Sequence, residues 1–422
     1  PPLAIESARG PFLYTKDGRE VIDAISSWWC KSLGHCHPRI RAAVERQLDK
    51  FEHVILANTT NETIAAFAAE LAGICPGLDR VFLADNGSTA VEVAMKMSLQ
   101  YHAQTGTPER NTFLALHNGY HGETILTLAA GDCEMYSRPF ARILPRIAKT
   151  APLVYCTGPD RPGWDKYPDA AWNEMERQLD ELAPQLAAVI FEPVVQGAGG
   201  MKIYSPDLLR RFRAWADRHH VHLIADEIMT GFARCGRMLA CEYAGIVPDF
   251  VTLSKSMTAG WGPMSAILCS SATYNAFYGD YFSDRAFVHS NTYTGYPVTA
   301  AATLAALKIY REELVVEKAP EKCAQLRRLM EYVARETGAL SNIRAIGYLA
   351  AAEIVDPDSG MPFDRRRRIG FQLAQQAAEN GALLRPIGDT LYFLPPFNTP
   401  DVVLERMAEI AARSLRQVID PA

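Results

Sequence analysis

The sequence predicts an α/β protein: a mostly parallel central sheet covered by helices, with a smaller α+β domain after it. Three observations carry this. Short apolar runs alternate with helical patterns between residues 81 and 269. The runs are apolar at every position rather than at alternate ones, which marks strands buried on both faces. After about Tyr310 the pattern changes to long helical stretches with a few short strands. At 422 residues the chain is too long for one compact core. The expected organisation is an N-terminal segment, 1–43, packing with the small domain, then a large α/β domain, 44–310, and a small α+β domain, 311–422.

The first strands are Phe12–Tyr14 and Val21–Ile25 around the Asp17-Gly18 turn. Proline at an opening turn predicts a helix from Pro38 through Ile40 to Leu48. Ile64, Phe67, Ala68 and Leu71 are spaced for a helix over 60–74. The alternation then begins with the strand Val81–Ala84, the turn Asn86-Gly87-Ser88 and a helix over 90–100. Further strands are Phe113–Leu116, Ala187–Phe191, Val221–Ala225, Phe250–Leu253 and Ser265–Cys269, with a helix over Asp207–His219. In the last part, helices are expected over 317–336, 368–379 and 400–418. Strands are expected at Ile346–Ala350, Ala351–Val355, Ala382–Arg385 and Thr390–Leu394.

Composition excludes several classes of function. The chain carries 43 Lys and Arg against 48 Asp and Glu, a formal charge of -5. Its densest basic patch, Arg365–Arg368, reads as a solvated helix start, so nothing points to nucleic acid or an anionic membrane. No apolar run approaches the roughly 20 residues that span a bilayer. The nine cysteines include no C-x-x-C pair, and the Cys30, His35, Cys36 and His37 group lacks the spacing of a zinc site, so no metal is expected. A reducing, cytoplasmic location fits this cysteine usage.

Chemistry is concentrated at predicted strand ends. Asp226 and Glu227 follow the run ending at Ala225, and Lys255 follows Val251–Ser254. Open α/β sheets bind ligands beyond the carboxyl ends of their strands, so these residues can meet in one site. A lysine there can form an imine with an aldehyde cofactor, and an aspartate can keep a pyridine nitrogen protonated. The residues alone leave a plainer role open, with Asp226-Glu227 capping the next element and Lys255 solvated. Asn86-Gly87-Ser88-Thr89 joins a strand to a helix, where glycine and free amides suit a phosphate, a weak signal by itself.

The stretch Leu223-Ile224-Ala225-Asp226-Glu227-Ile228-Met229-Thr230-Gly231-Phe232-Ala233-Arg234-Cys235-Gly236, with Lys255 29 residues beyond Asp226, resembles the signature of the class III, fold-type I aminotransferases, which use pyridoxal 5'-phosphate. The likeness covers essentially the whole chain. It implies that Lys255 is the Schiff-base and proton-transfer lysine, that Asp226 pairs with the pyridine nitrogen and that Ile228 packs on one ring face. It further implies that Tyr120 stacks on the other face, that Gly87 and Ser88 bind the phosphate, and that Thr292 reaches the cofactor of a neighbouring subunit in a homodimer with shared active sites.

Ser26-Ser27-Trp28-Trp29, the helix Ala90–Met97, His117–Glu123 and Glu192–Met201 resemble the branch of that family acting in biotin synthesis. This implies S-adenosylmethionine as small-molecule amino donor and 8-amino-7-oxononanoate as keto acceptor. Trp28, Trp29, Tyr120, Arg234 and Arg385 would contact substrate. A second branch stays open, ω-aminotransferases acting on a diamine or β-amino acid with pyruvate or 2-oxoglutarate. For Trp28 and Trp29 the plain alternative is packing against the first helix.

Overall fold

A computed structural model describes residues 2–420. Seven strands, numbered β1 to β7 in chain order, form the central sheet: Arg80–Ala84, Thr112–Ala115, Ala148–Lys149, Leu186–Phe191, His222–Asp226, Phe250–Leu253 and Ser265–Cys269. They lie in the order β1-β7-β6-β5-β4-β2-β3. Only β7 runs against its neighbours, so the sheet is mostly parallel as the apolar runs predicted.

Successive side chains of β4 to β6 point to opposite faces. Val189, Phe191, Leu223, Val251 and Leu253 join one core with Leu209, Phe212 and Trp215 of the helix Asp207–His219. Ile190, Ile224 and Phe250 join another with Val91 and Met95 of the helix Gly87–Gln104. Each such side chain contributes about 1.5–3 kcal/mol by leaving water, which is why runs of this kind hold a two-faced sheet.

Three smaller sheets complete the molecule, one of them the short antiparallel set Tyr155–Cys156, Lys202–Tyr204 and Val195–Gln196. Ile5–Arg9, Phe12–Thr15 and Glu20–Asp23 form an antiparallel meander, and Glu20–Asp23 pairs in parallel with Ala382–Leu383 from the far end of the chain. Leu340–Ile346, Leu349–Ile354 and Thr390–Phe393 form the third of these sheets. It shares a core with the helices Val315–Thr337 and Asp401–Ile419 through Leu326, Met330, Phe393, Leu404 and Met407.

Several elements lie outside the expectation, the helices Asp169–Leu182 and Pro297–Glu312 among them, and three have a plain physical reason. The strand at Ile5–Arg9 has no signal in the sequence, because its mostly exposed residues show no apolar alternation. The two-residue β3 is too short to carry a period. The run Ile346–Ala350 is not one strand but the tip of a hairpin: Gly347 has φ +54 and packs on the backbone of 234–236 so closely that a Cβ would collide there.

Candidate active site

Register places the polar residues. Ala225 of β5 pairs with Phe191 of β4, and Asp226 pairs with Thr252 of β6. The next residues along the chain, Glu192, Asp226 and Ser254-Lys255, therefore emerge side by side from one edge of the sheet. Ala115 of β2 pairs with Ile190, bringing the following loop with Tyr120 and His121 to the same edge. β1 ends there too, and Asn86 caps the 18-residue helix Gly87–Gln104 through Thr89 N–H at 3.0 Å. Together these groups line a cleft of about 610 Å³, open mouth included, bounded by Trp29, Gly87, Ser88, Tyr120, His121, Gly122, Glu192, Asp226, Ile228, Met229 and Lys255.

Inside the cleft, His121 Nδ1 lies 2.8 Å from Asp226 Oδ2, both buried, and Ile228 N–H donates to Asp226 Oδ1 at 3.2 Å. Burial lowers the proton affinity of Lys255, while Asp226 and Glu192 oppose that shift. Its ammonium stands 5.3 Å from the ring centre of Trp29, and its backbone is held at φ +41, a strained conformation of the kind that collects at functional sites. Glu192 is buried and pushed up to about 7 by desolvation, yet it accepts from Tyr120 N–H at 3.0 Å and Gly197 N–H at 2.9 Å. The first helical amides, of Gly87 and Ser88, have no partner within their own helix and face a negative ligand favourably.

The tryptophan pair is set by a strained turn in which Ser26, Ser27 and Trp29 all have positive φ. Asp23 holds it by accepting from Ser27 N–H at 2.8 Å, and His35 Nε2 in turn lies 2.8 Å from Asp23. Trp29 is buried beside the cleft, its Nε1 donating to Tyr392 Oη at 2.9 Å. Trp28 is 57% exposed, with the Arg385 guanidinium 4.4 Å above its ring.

The structure thus brings Lys255, Asp226, Gly87, Ser88, Tyr120, Ile228 and Trp29 together, with Trp28 and Arg385 as a pair outside the lining. Arg234 is placed elsewhere. It is fully buried, donates to Pro395 O at 2.9 Å and Ser26 Oγ at 3.3 Å, and lies 4.5 Å over Phe397. With no carboxylate beside it, burial lowers it to about 10. Its geometry ties the tryptophan turn to the chain after Leu394. Thr292 also lies outside the cleft lining, and its carbonyl accepts from His53 Nε2 at 3.0 Å. His121 and Glu192 are not among the site residues expected from the sequence; they contact Asp226 and the amide of Tyr120 respectively.

The model of the class-III aminotransferase family matches residues 1–415. The chain is 36% identical over 403 residues, 94% of its length and 88% of the relative's, to adenosylmethionine-8-amino-7-oxononanoate aminotransferase of Geobacter sulfurreducens. It is 37% identical to the protein of that name from Synechococcus elongatus, covering 97% of this chain and 94% of the relative. Among solved structures, that of adenosylmethionine-8-amino-7-oxononanoate aminotransferase from Methanocaldococcus jannaschii superposes with TM-score 0.92 at 28% identity, over 99% of this chain and 93% of the other. A pyridoxal-phosphate-bound amine transaminase from an uncultivated Pseudomonas species superposes with TM-score 0.89 at 30% identity, over 99% and 95%. The chain belongs to the class-III aminotransferases, and its fold is the fold-type I fold of pyridoxal-phosphate enzymes.

The cleft fits that cofactor. Gly87 leaves Ile228 undisturbed only because it lacks a Cβ, which would stand 3.0 Å from Ile228 Cδ1. Gly122, at φ +126, passes so close to Ser88 that any side chain would strike its hydroxyl. The space between the helix start, Ile228, Tyr120 and Lys255 is therefore kept clear of side chains.

Proposed function

We propose that the chain transfers an amino group from S-adenosylmethionine to 8-amino-7-oxononanoate, giving 7,8-diaminononanoate for biotin synthesis, in the cytoplasm and as a homodimer. The relatives bearing that name at 36% and 37% identity over nearly the full length carry this conclusion. Pyridoxal phosphate, when bound, supplies the aldehyde that carries the amino group and a protonated ring that accepts electrons from the reacting carbon. The residues of the chain supply the rest. Asp226 holds the ring proton, itself oriented by His121. Lys255 Nζ, with its lowered proton affinity, would take a proton from the substrate carbon that bears the amino group and deliver it to the cofactor carbon that retains that group. Tyr120 and Ile228 would cover the cofactor ring, and the amides of Gly87 and Ser88 would hold its phosphate.

Arg385, stacked over Trp28 outside the cleft lining, is suited to a substrate carboxylate, which arginine binds with two parallel hydrogen bonds. Trp29 offers apolar cover beside Lys255. Two features support a second copy completing the site. Tyr281 and Phe282 are 89% and 87% exposed, with Tyr278 and Val288 also bare on the same segment. Close to Thr292, His53 Nδ1, His289 Nε2 and Asn291 Oδ1 are buried without a partner. Among the described residues, no helix is long and apolar enough to cross a membrane.

The likeness to an amine transaminase favours one rival, an ω-aminotransferase. The purified holoenzyme given S-adenosylmethionine and 8-amino-7-oxononanoate should form the diamine. Rapid turnover of a simple ω-amine with pyruvate and no diamine would select the rival instead.

A further inference from the structure

Glu192 is the one carboxylate of the cleft to which the chemistry of amino transfer gives no task. It follows β4, one strand over from Asp226, and joins two separate loops. One oxygen accepts from the amide of Tyr120, which begins the wall of the ring site, and the other from the amide of Gly197. Its own carbonyl is fixed by Tyr204 Oη at 2.5 Å, so the side chain has a firm base. The charged and titratable groups around it are His121 and Cys133 from the loop after β2, Tyr155, Tyr204, Asp226 from β5, Cys235 and Lys255 from the chain after β6.

We propose that Glu192 is a positioning residue that, as a carboxylate, draws the Tyr120 loop and the Gly197 loop onto the cofactor site, and that its protonation slackens that grip. Two converging N–H donors suit an anion, which accepts far better than the hydroxyl oxygen of a neutral acid. The negative charge also lies close enough to Asp226 to favour the ring proton that Asp226 holds. Against this stands desolvation, which lifts Glu192 to about 7, so the two states exchange near neutral pH. The sign follows: below that value the neutral acid prevails and the loops loosen, and above it the carboxylate forms and the loops close.

The inference rests on the assignment of the cleft as a pyridoxal-phosphate site, and the test separates the two. Pyridoxamine phosphate, which forms no imine with Lys255, serves as the probe, its dissociation constant measured between pH 6 and 8.5 for the wild type and E192Q. The titration of the probe's phosphate is common to both proteins, so the ratio of the two constants isolates Glu192. At pH 6 the ratio is expected to be near unity, since neutral acid and amide are alike there. At pH 8.5 the wild type should bind at least about tenfold tighter, the difference between a charged and a neutral acceptor. A ratio that does not change with pH overturns the proposal. Failure of the wild type to bind the probe overturns the cofactor site and the proposal with it.

Thermal melts of the unliganded proteins show whether E192Q remains folded. E192D gives an independent answer, because it keeps the charge but is one methylene short of both amides. It should bind the probe more weakly while retaining the pH dependence, and an affinity equal to the wild type's overturns the proposal.

Discussion

Replacing Asp226 with asparagine tests the electrostatic core of the site with almost no change of shape. The side chain sits at the end of β5, buried, with one oxygen 2.8 Å from His121 Nδ1 and the other accepting from Ile228 N–H. Asparagine can keep the Ile228 contact through its own oxygen. Its amide group, however, then faces His121 as a donor, and the charge that holds the ring proton is gone. A preorganised electrostatic contribution of this kind is worth about 3 kcal/mol, which corresponds to a loss of about two orders of magnitude in rate. Cofactor held through its phosphate should remain bound, because Gly87 and Ser88 are untouched. The assay is single-turnover kinetics of each half-reaction, followed by the cofactor's absorbance in the fully loaded enzyme. Rates within about threefold of the wild type, less than 1 kcal/mol in the barrier, would refute the role of Asp226.

Three further outcomes are expected. Arg385→Ala should raise the Michaelis constant for the keto acceptor about tenfold to a hundredfold, from a charge-assisted contact of about 1.5–3 kcal/mol, and leave an acceptor without the distal carboxylate unaffected; steady-state kinetics with both acceptors checks this. Gly122→Ala should weaken cofactor binding at least about tenfold, a shift of about 1.4 kcal/mol, because the added methyl displaces Ser88; equilibrium dialysis of the cofactor measures it, and unchanged affinity would count against Ser88 as a phosphate ligand. His222 is buried and lowered from 6.5 to about 4, so the unfolded chain binds the proton first as pH falls. The stability this contributes is complete above pH 6.5 and falls by up to about 3 kcal/mol as pH drops to 4. Denaturant unfolding at several pH values should therefore show a shallower acid loss for His222→Gln than for the wild type.

Asp226 and Lys255 are legible in the sequence because each directly follows an apolar run, and parallel strands deliver such residues to one edge. Glu192 obeys the same rule, following the fully buried β4, and that signal is present in Leu186–Phe191. His121 is harder. Its neighbour Tyr120 is equally polar at its tip, and only the packing of β2 beside β4, and β4 beside β5, shows which of them meets Asp226. Arg234 shows the opposite limit. Its place in a signature stretch suggests substrate, whereas its complete burial against Phe397 and Ser26 depends on contacts more than 150 residues apart in sequence. The hairpin at Gly347 is hidden for a related reason: the apolar run continues across it, and the turn is enforced by packing against 234–236.

The central claim is that Lys255, at the end of β6, is the residue to which pyridoxal phosphate attaches. Loading the protein with the cofactor, reducing it with borohydride and mapping the modified peptide by mass spectrometry measures this directly. The account predicts a single pyridoxyl adduct on Lys255, absent from Lys255→Ala, which should also have lost about 99% or more of its transamination while still folded. An adduct on another lysine, or a Lys255→Ala protein with near-normal turnover, would contradict it.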